Sequence, residues 1–129
     1  MPFVRIDMVE GHSEKAICAL MEAAHRALVM AFGIPERDRY QVVHEHRRSR
    51  VVFQDSGLGI TRTDKVVVFT ITTRSRSEEA KRVLFEELAR RLKEACGIEP
   101  SDVIVTCITN TDADWSFGFG RAQFKTGEL

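Results

Sequence analysis

No stretch of this chain is long and apolar enough to cross a bilayer as a helix: the longest apolar run, Val66 to Ile71 (VVVFTI), falls far short of the ~20 residues a span requires. The opening residues lack the charged-then-apolar order of a secretory signal, so a cytoplasmic location is expected. Net charge is absent as well. Lys plus Arg number 19 and Asp plus Glu number 19, which leaves no global field to draw nucleic acid or an anionic membrane, and neither is expected as a partner. The basic cluster His46 to Arg50 (HRRSR) reads as a solvated loop. Cysteine is scarce: Cys18, Cys96 and Cys107 are odd in number and lack C-x-x-C spacing, which excludes a disulfide framework and predicts reduced, mostly buried thiols. His44 and His46 share one face of a strand, but no Cys, Asp or third His completes a ligand set, so no metal is expected. His12 and His25 are isolated and carry no expected function.

What is present is ordinary globular composition, 43% hydrophobic and 29% charged over 129 residues, enough for one domain. Helical periodicity runs from Ser13 to Phe32, with Ile17, Leu20, Met21, Ala24, Leu28 and Ala31 on one stripe, and from Ser77 to Cys96, with Val83, Leu84, Leu88, Leu92 and Ala95 on another. Each segment starts at a Ser suited to an N-cap and stops at a Gly, Gly33 or Gly97, suited to a left-handed C-cap. The two segments also match each other. Offset by 64 residues, Ser13, Glu14, Ala16, Leu20, Glu22, Arg26, Leu28, Ala31, Gly33, Ile34 and Asp38 meet identical residues between Ser77 and Asp102, far above chance.

The repeated unit reads strand, helix, strand: PFVRIDM, helix, RYQVVHEH, then KVVVFTITT, helix, VIVTCIT. Two right-handed crossovers of this kind can share one sheet. The expectation is an α/β (α+β) domain with a four-stranded sheet and two helices on one face. It comprises pseudo-repeats over about 2–46 and 65–110, plus a tail over 111–129. Between the repeats, Gly57 and Gly59 mark a hairpin tip or an excursion from the sheet. Strands such as VVVFTITT offer apolar residues to both faces, and two helices cover only one. An obligate oligomer of identical subunits is therefore expected.

Four groups could carry chemistry. Pro2 would become a secondary amine if Met1 were removed, as it is when a small residue follows. Desolvation beside cations would lower that amine's pKa and a carboxylate would raise it again, so it could serve as acid or base. The offset of 64 places Val66 opposite Pro2, and the bland alternative is a proline that merely starts a strand. Arg74 and Arg76, two apart where the third strand ends, suit a carboxylate or a solvated surface. Asp38, where the second strand begins, matches Asp102 and reads as a turn or strand-entry aspartate. The tail NTDADWSFGFGRAQFKTGEL concentrates Trp115, Phe117, Phe119 and Phe124, which must bury themselves as a β-hairpin at a subunit seam or as the wall of a pocket.

Together the strand-borne Pro2, the doubled strand-helix-strand unit and the tail resemble the tautomerase superfamily, and within it most closely the malonate semialdehyde decarboxylases. AAHRALV, DRYQ, DSGLG, RSRSEE, CGI, SDVIV, DADWSFGFGRAQF and TGEL carry the likeness. The resemblance implies a cofactor-independent homotrimer that decarboxylates a small-molecule 3-oxo acid. It implies Pro2 as the catalytic amine, Asp38 as its acidic partner, and Arg74 and Arg76 as carboxylate binders. Trp115, Phe117, Phe124 and Leu129 would form an apolar wall. Tautomerisation, hydration or dehalogenation of small unsaturated acids by the same proline remains open. So does a non-catalytic trimeric interaction protein, should Met1 be retained.

Overall fold

The computed structural model describes residues 1–129. Its main elements are β1 (Phe3–Val9), α1 (Glu14–Phe32), β2 (Tyr40–His46), β3 (Val67–Arg74), α2 (Glu78–Cys96), β4 (Val103–Asn110) and a short α3 (Gln123–Thr126). The strands lie in the order β2-β1-β3-β4. Each crossover leaves a parallel pair, β1 with β2 and β3 with β4, and β1 joins β3 antiparallel at the centre. Both helices begin as their sequence predicts: the Ser13 and Ser77 hydroxyls accept from the Ala16 and Ala80 amides, satisfying donors that a helix start leaves orphaned. They end at Gly33 and Gly97 with φ of 64° and 66°, a conformation that costs other residues a Cβ clash.

α1 and α2 pack on one face of the sheet, and the core forms between them. Val4, Ile6 and Met8 of β1 and Val67, Phe69 and Ile71 of β3 meet Leu20, Ala24, Leu28, Leu84, Leu88 and Leu92. Truncating one of these leucines to Ala costs ~2–5 kcal/mol. The thiols depart from expectation: Cys96 and Cys107 are half-buried, but Cys18 is exposed, because it lies off the apolar stripe of α1. The segment between the repeats forms no hairpin. It is an excursion in which the Asp55 carboxylate accepts from the Gly57 and Gly59 amides.

The face away from the helices is mixed rather than largely apolar. Phe3, Val42 and Ile108 are exposed there, interleaved with Thr70, Thr72 and Thr106. On the same side Asp7 accepts from Arg5 at 3.0 Å and from His46 Nε2 at 2.7 Å.

The strand faces also correct the repeat. The helices superimpose at an offset of 64, but β1 buries even positions and β3 odd ones, so these strands are related by 65. The first repeat has one more residue between strand and helix, at the Glu10–His12 turn where Gly11 has φ 117°. The counterpart of Pro2 is therefore Val67, not Val66. Val66 matches Met1, while Asp38 and Asp102 remain equivalent.

Candidate active site

The topology converges on the start of the chain. Because β1 and β3 are antiparallel, with Phe3 opposite Thr72, the residues before Phe3 lie beside the end of β3, where Arg74 and Arg76 emerge. The parallel β1–β2 pair brings the residues before Tyr40, Asp38 among them, to the same edge. β4 ends there too, since Asn110 pairs with Arg74, so the tail starts at this corner.

With Met1 in place its amine is the ionisable nitrogen here, and Pro2, buried, contributes an amide. The amine lies 3.9 Å from Asp38 Oδ2. Burial pulls its pKa below the ordinary amino-terminal value, Asp38 pulls it back up, and Arg76 and Arg74 push it down. Asp38 is 6% exposed, and its Oδ1 has no hydrogen-bond partner. Burial raises the Asp38 pKa, opposed by the amine and by Arg76. The loop that carries Asp38 is pinned by His25, which the sequence reading left without a role. Its buried ring lies 2.7 Å from the Glu36 carbonyl, and because a carbonyl only accepts, Nε2 carries the proton.

The two arginines are not equivalent. Arg74 is held by Asp112, Nε to Oδ1 at 2.6 Å and Nη2 to Oδ2 at 3.3 Å, and its guanidinium lies 4.3 Å from the Phe124 ring centroid. Arg76 meets neutral acceptors, the Thr73 hydroxyl at 3.1 Å and the Phe32 carbonyl at 3.4 Å. It stacks 4.7 Å from the Phe32 ring, and burial together with Arg74 lowers its pKa. Arg76 is thus the guanidinium with charge to spare.

The tail contains no β-hairpin. A 3-10 turn over Asp112–Asp114 and α3 fold it back onto its own chain. Trp115 stacks on Phe117 at 5.5 Å, Phe124 meets Phe117 edge-on at 5.5 Å, and Tyr40 closes the group at 5.7 Å. The Gln123 side chain locks this fold, accepting from the Phe117 amide and donating to the Gly118 carbonyl, both at 2.9 Å. Phe119, by contrast, is 92% exposed. Phe117 and Leu129 line a cleft of about 370 Å³ with Met1, Asp38, Tyr40 and Arg37. A second cleft of about 650 Å³ contains Arg74, Arg76, Asn110, Asp112 and Lys125. The structure therefore gathers Pro2, Asp38, Arg74, Arg76, Trp115, Phe117, Phe124 and Leu129 at one corner. It adds Arg37, Tyr40, Asp112 and Lys125, which nothing in their spacing signalled.

Two family profiles, each described as tautomerase enzyme, match residues 38–118 and 2–60. A probable tautomerase of Bacillus subtilis, YrdN, is 46% identical over the full length of both chains. The chain belongs to the tautomerase family. Among solved structures, a malonate semialdehyde decarboxylase is 47% identical to this chain, with 98% of each chain covered and a TM-score of 0.97. At 19% identity and a TM-score of 0.79, covering 97% of this chain and 98% of the other, a fused 4-OT described as a symmetric trimer shares the fold. No helix of the chain is long and apolar enough to cross a membrane.

Proposed function

We propose that this tautomerase-family protein decarboxylates a 3-oxo acid such as malonate semialdehyde, releasing acetaldehyde and carbon dioxide, with Pro2 as the amine once Met1 is removed. The observation that carries the reading is the buried Asp38 carboxylate beside the chain's first nitrogen, with the uncommitted Arg76 guanidinium acting on both. The likeness to malonate semialdehyde decarboxylase supports the choice of reaction. Asp38 keeps the Pro2 amine protonated, and the ammonium donates to the substrate carbonyl oxygen. Arg76 holds the carboxylate out of the carbonyl plane, with Arg74 beside it. The C–C bonding pair then flows into the carbonyl as carbon dioxide leaves, and the ammonium stabilises the oxygen anion of the resulting enolate. Protonation of the enolate carbon gives the aldehyde. Trp115, Phe117, Phe124 and Leu129 form an apolar wall that favours neutral carbon dioxide over the carboxylate.

The test is proton NMR of malonate semialdehyde with two forms of the protein whose masses establish whether Met1 is present. The Met1-free form should produce acetaldehyde. The Met1-bearing form, whose Pro2 nitrogen is an amide, should lose at least ~10²-fold of that rate, the low end for a general acid. Equal rates would remove Pro2 from the reaction, and inactivity of both forms would favour the non-catalytic reading. Hydration of an acetylenic acid is the second reading, supported by the unpartnered Asp38 Oδ1, which can accept a proton from an attacking water. The assembly we propose is a homotrimer. The sheet face left open by the helices, with Phe3, Val42 and Ile108 exposed, is the surface that subunits would cover. Sedimentation at micromolar concentration should show no folded monomer.

A further inference from the structure

The larger cleft holds more positive charge than a monocarboxylate can balance. Three cations face it, Arg74, Arg76 and Lys125, against one carboxylate, Asp112. Asp112 is spent on Arg74 through two hydrogen bonds. Arg76 bonds only a hydroxyl and a carbonyl, and Lys125 is exposed and forms no ion pair. The backbone of Lys125 is held in place. The preceding residue, Phe124, lies against Arg74 and edge-on to Phe117, and the Lys125 amide donates to the Ala122 carbonyl at 2.8 Å. Two cations without an ion pair, Arg76 half-buried and Lys125 exposed, therefore share a cleft of about 650 Å³. That volume lies within the roughly 300–1,000 Å³ of pockets that take drug-sized ligands, well beyond the needs of a three-carbon acid.

We propose that this cleft selects 3-oxo acids bearing a second anionic group, Arg76 taking the carboxylate that leaves and Lys125 the distal anion. The inference rests on the decarboxylase reading for the reaction, but its binding half can be measured without turnover. Trp115 is the single tryptophan, and its Nε1 donates to Asn110 Oδ1 at 2.8 Å. Since Asn110 lines the cleft, tryptophan fluorescence reports on ligands there, and titration calorimetry provides a second reading.

The probes are butyrate, succinate and glutarate, titrated into wild type, Lys125→Gln, Lys125→Glu and Lys125→Arg. Wild type should prefer the diacids by up to roughly 5-fold, the upper range for an exposed ion pair. In Lys125→Gln the ratio of diacid to butyrate affinity should fall towards one, in Lys125→Glu it should invert, and Lys125→Arg should restore it. A wild type without the preference, a preference that survives Lys125→Gln, or no binding of any probe would overturn the inference. Turnover of malonate semialdehyde by a wild type with no diacid preference would overturn it alone. A diacid preference that depends on Lys125, in a protein that decarboxylates neither class, would instead overturn the reaction and leave the subsite standing.

Discussion

Asp38 and Asp102 occupy equivalent positions in the two repeats, both buried, at 6% and 1% exposure, yet their surroundings differ. Both oxygens of Asp102 are satisfied by Thr63, from its amide at 2.7 Å and its hydroxyl at 2.5 Å. Thr63 belongs to the excursion that precedes β3. No residue plays the part of Thr63 over Asp38. Its Oδ1 is left bare and its Oδ2 faces an amine. One fold thus holds the same residue twice, once as a mortar for a loop and once as a buried group with unspent hydrogen-bonding capacity. Buried unsatisfied polar atoms are rare in native structures, and this one lies where the chemistry is proposed.

The sharpest way to break the comparison is at its first residue. Pro2 and Val67 are structural counterparts, and both are buried. Val67→Ala should cost stability, about 2 kcal/mol for two lost methyls and the space they leave, with kcat nearly unchanged. Pro2→Ala in the Met1-free protein should do the reverse, lowering kcat on a 3-oxo acid by at least ~10²-fold with little change in Tm. Parallel losses of stability and activity in both variants would reduce Pro2 to a strand residue.

A smaller effect is expected one step outward. Arg76 corresponds to His12, across the turns that join each strand to its helix. Arg76→Ala removes a charge-assisted carboxylate contact worth ~1.5–3 kcal/mol, so kcat/KM should fall roughly 10- to 150-fold, while His12→Ala should be silent. Arg74→Ala should fall less, because its charge is already spent on Asp112. If Arg74→Ala proves the more damaging variant, the division of labour between the two arginines is reversed.

Much of this was legible before any coordinates. The caps, the helical stripes and the doubled unit each rest on local pattern, and local pattern survives folding. The convergence of Pro2, Asp38, Arg74 and Arg76 followed from the resemblance, and the antiparallel β1–β3 pair supplies its geometric cause. The one-residue shift between β1 and β3 was hidden because the identities that define the repeat lie in the helices, and a single residue in a turn flips every strand position to the other face. The tail misled for another reason. Its aromatics announced burial, but the hydrogen bonds from Gln123 that fold it back have no periodicity to read. Nor could Asp38 be told from Asp102, since the residue that separates them, Thr63, lies 39 positions from Asp102 in sequence.

The smallest expected effect is the most specific to this pair. Asp102→Ala strands the Thr63 amide and hydroxyl, and should cost ~1–3 kcal/mol. Asp38→Asn should instead stabilise the fold at neutral pH, seen as a rise in Tm, while lowering activity. The sign follows from burial. It raises the folded-state pKa of Asp38 above its ordinary 3.8, so between those two values the native state binds the proton more tightly than the unfolded chain. Stability from this group is then fully present below 3.8 and declines as pH rises through the folded-state value. Asn stays neutral throughout. Thermal melts from pH 3.5 to 8 should therefore show wild type and Asp38→Asn together at the acid end and separating upward, with the variant more stable. An Asp38→Asn protein that is less stable than wild type at pH 7 would mean that the carboxylate is satisfied after all, and that the two aspartates differ in position but not in kind.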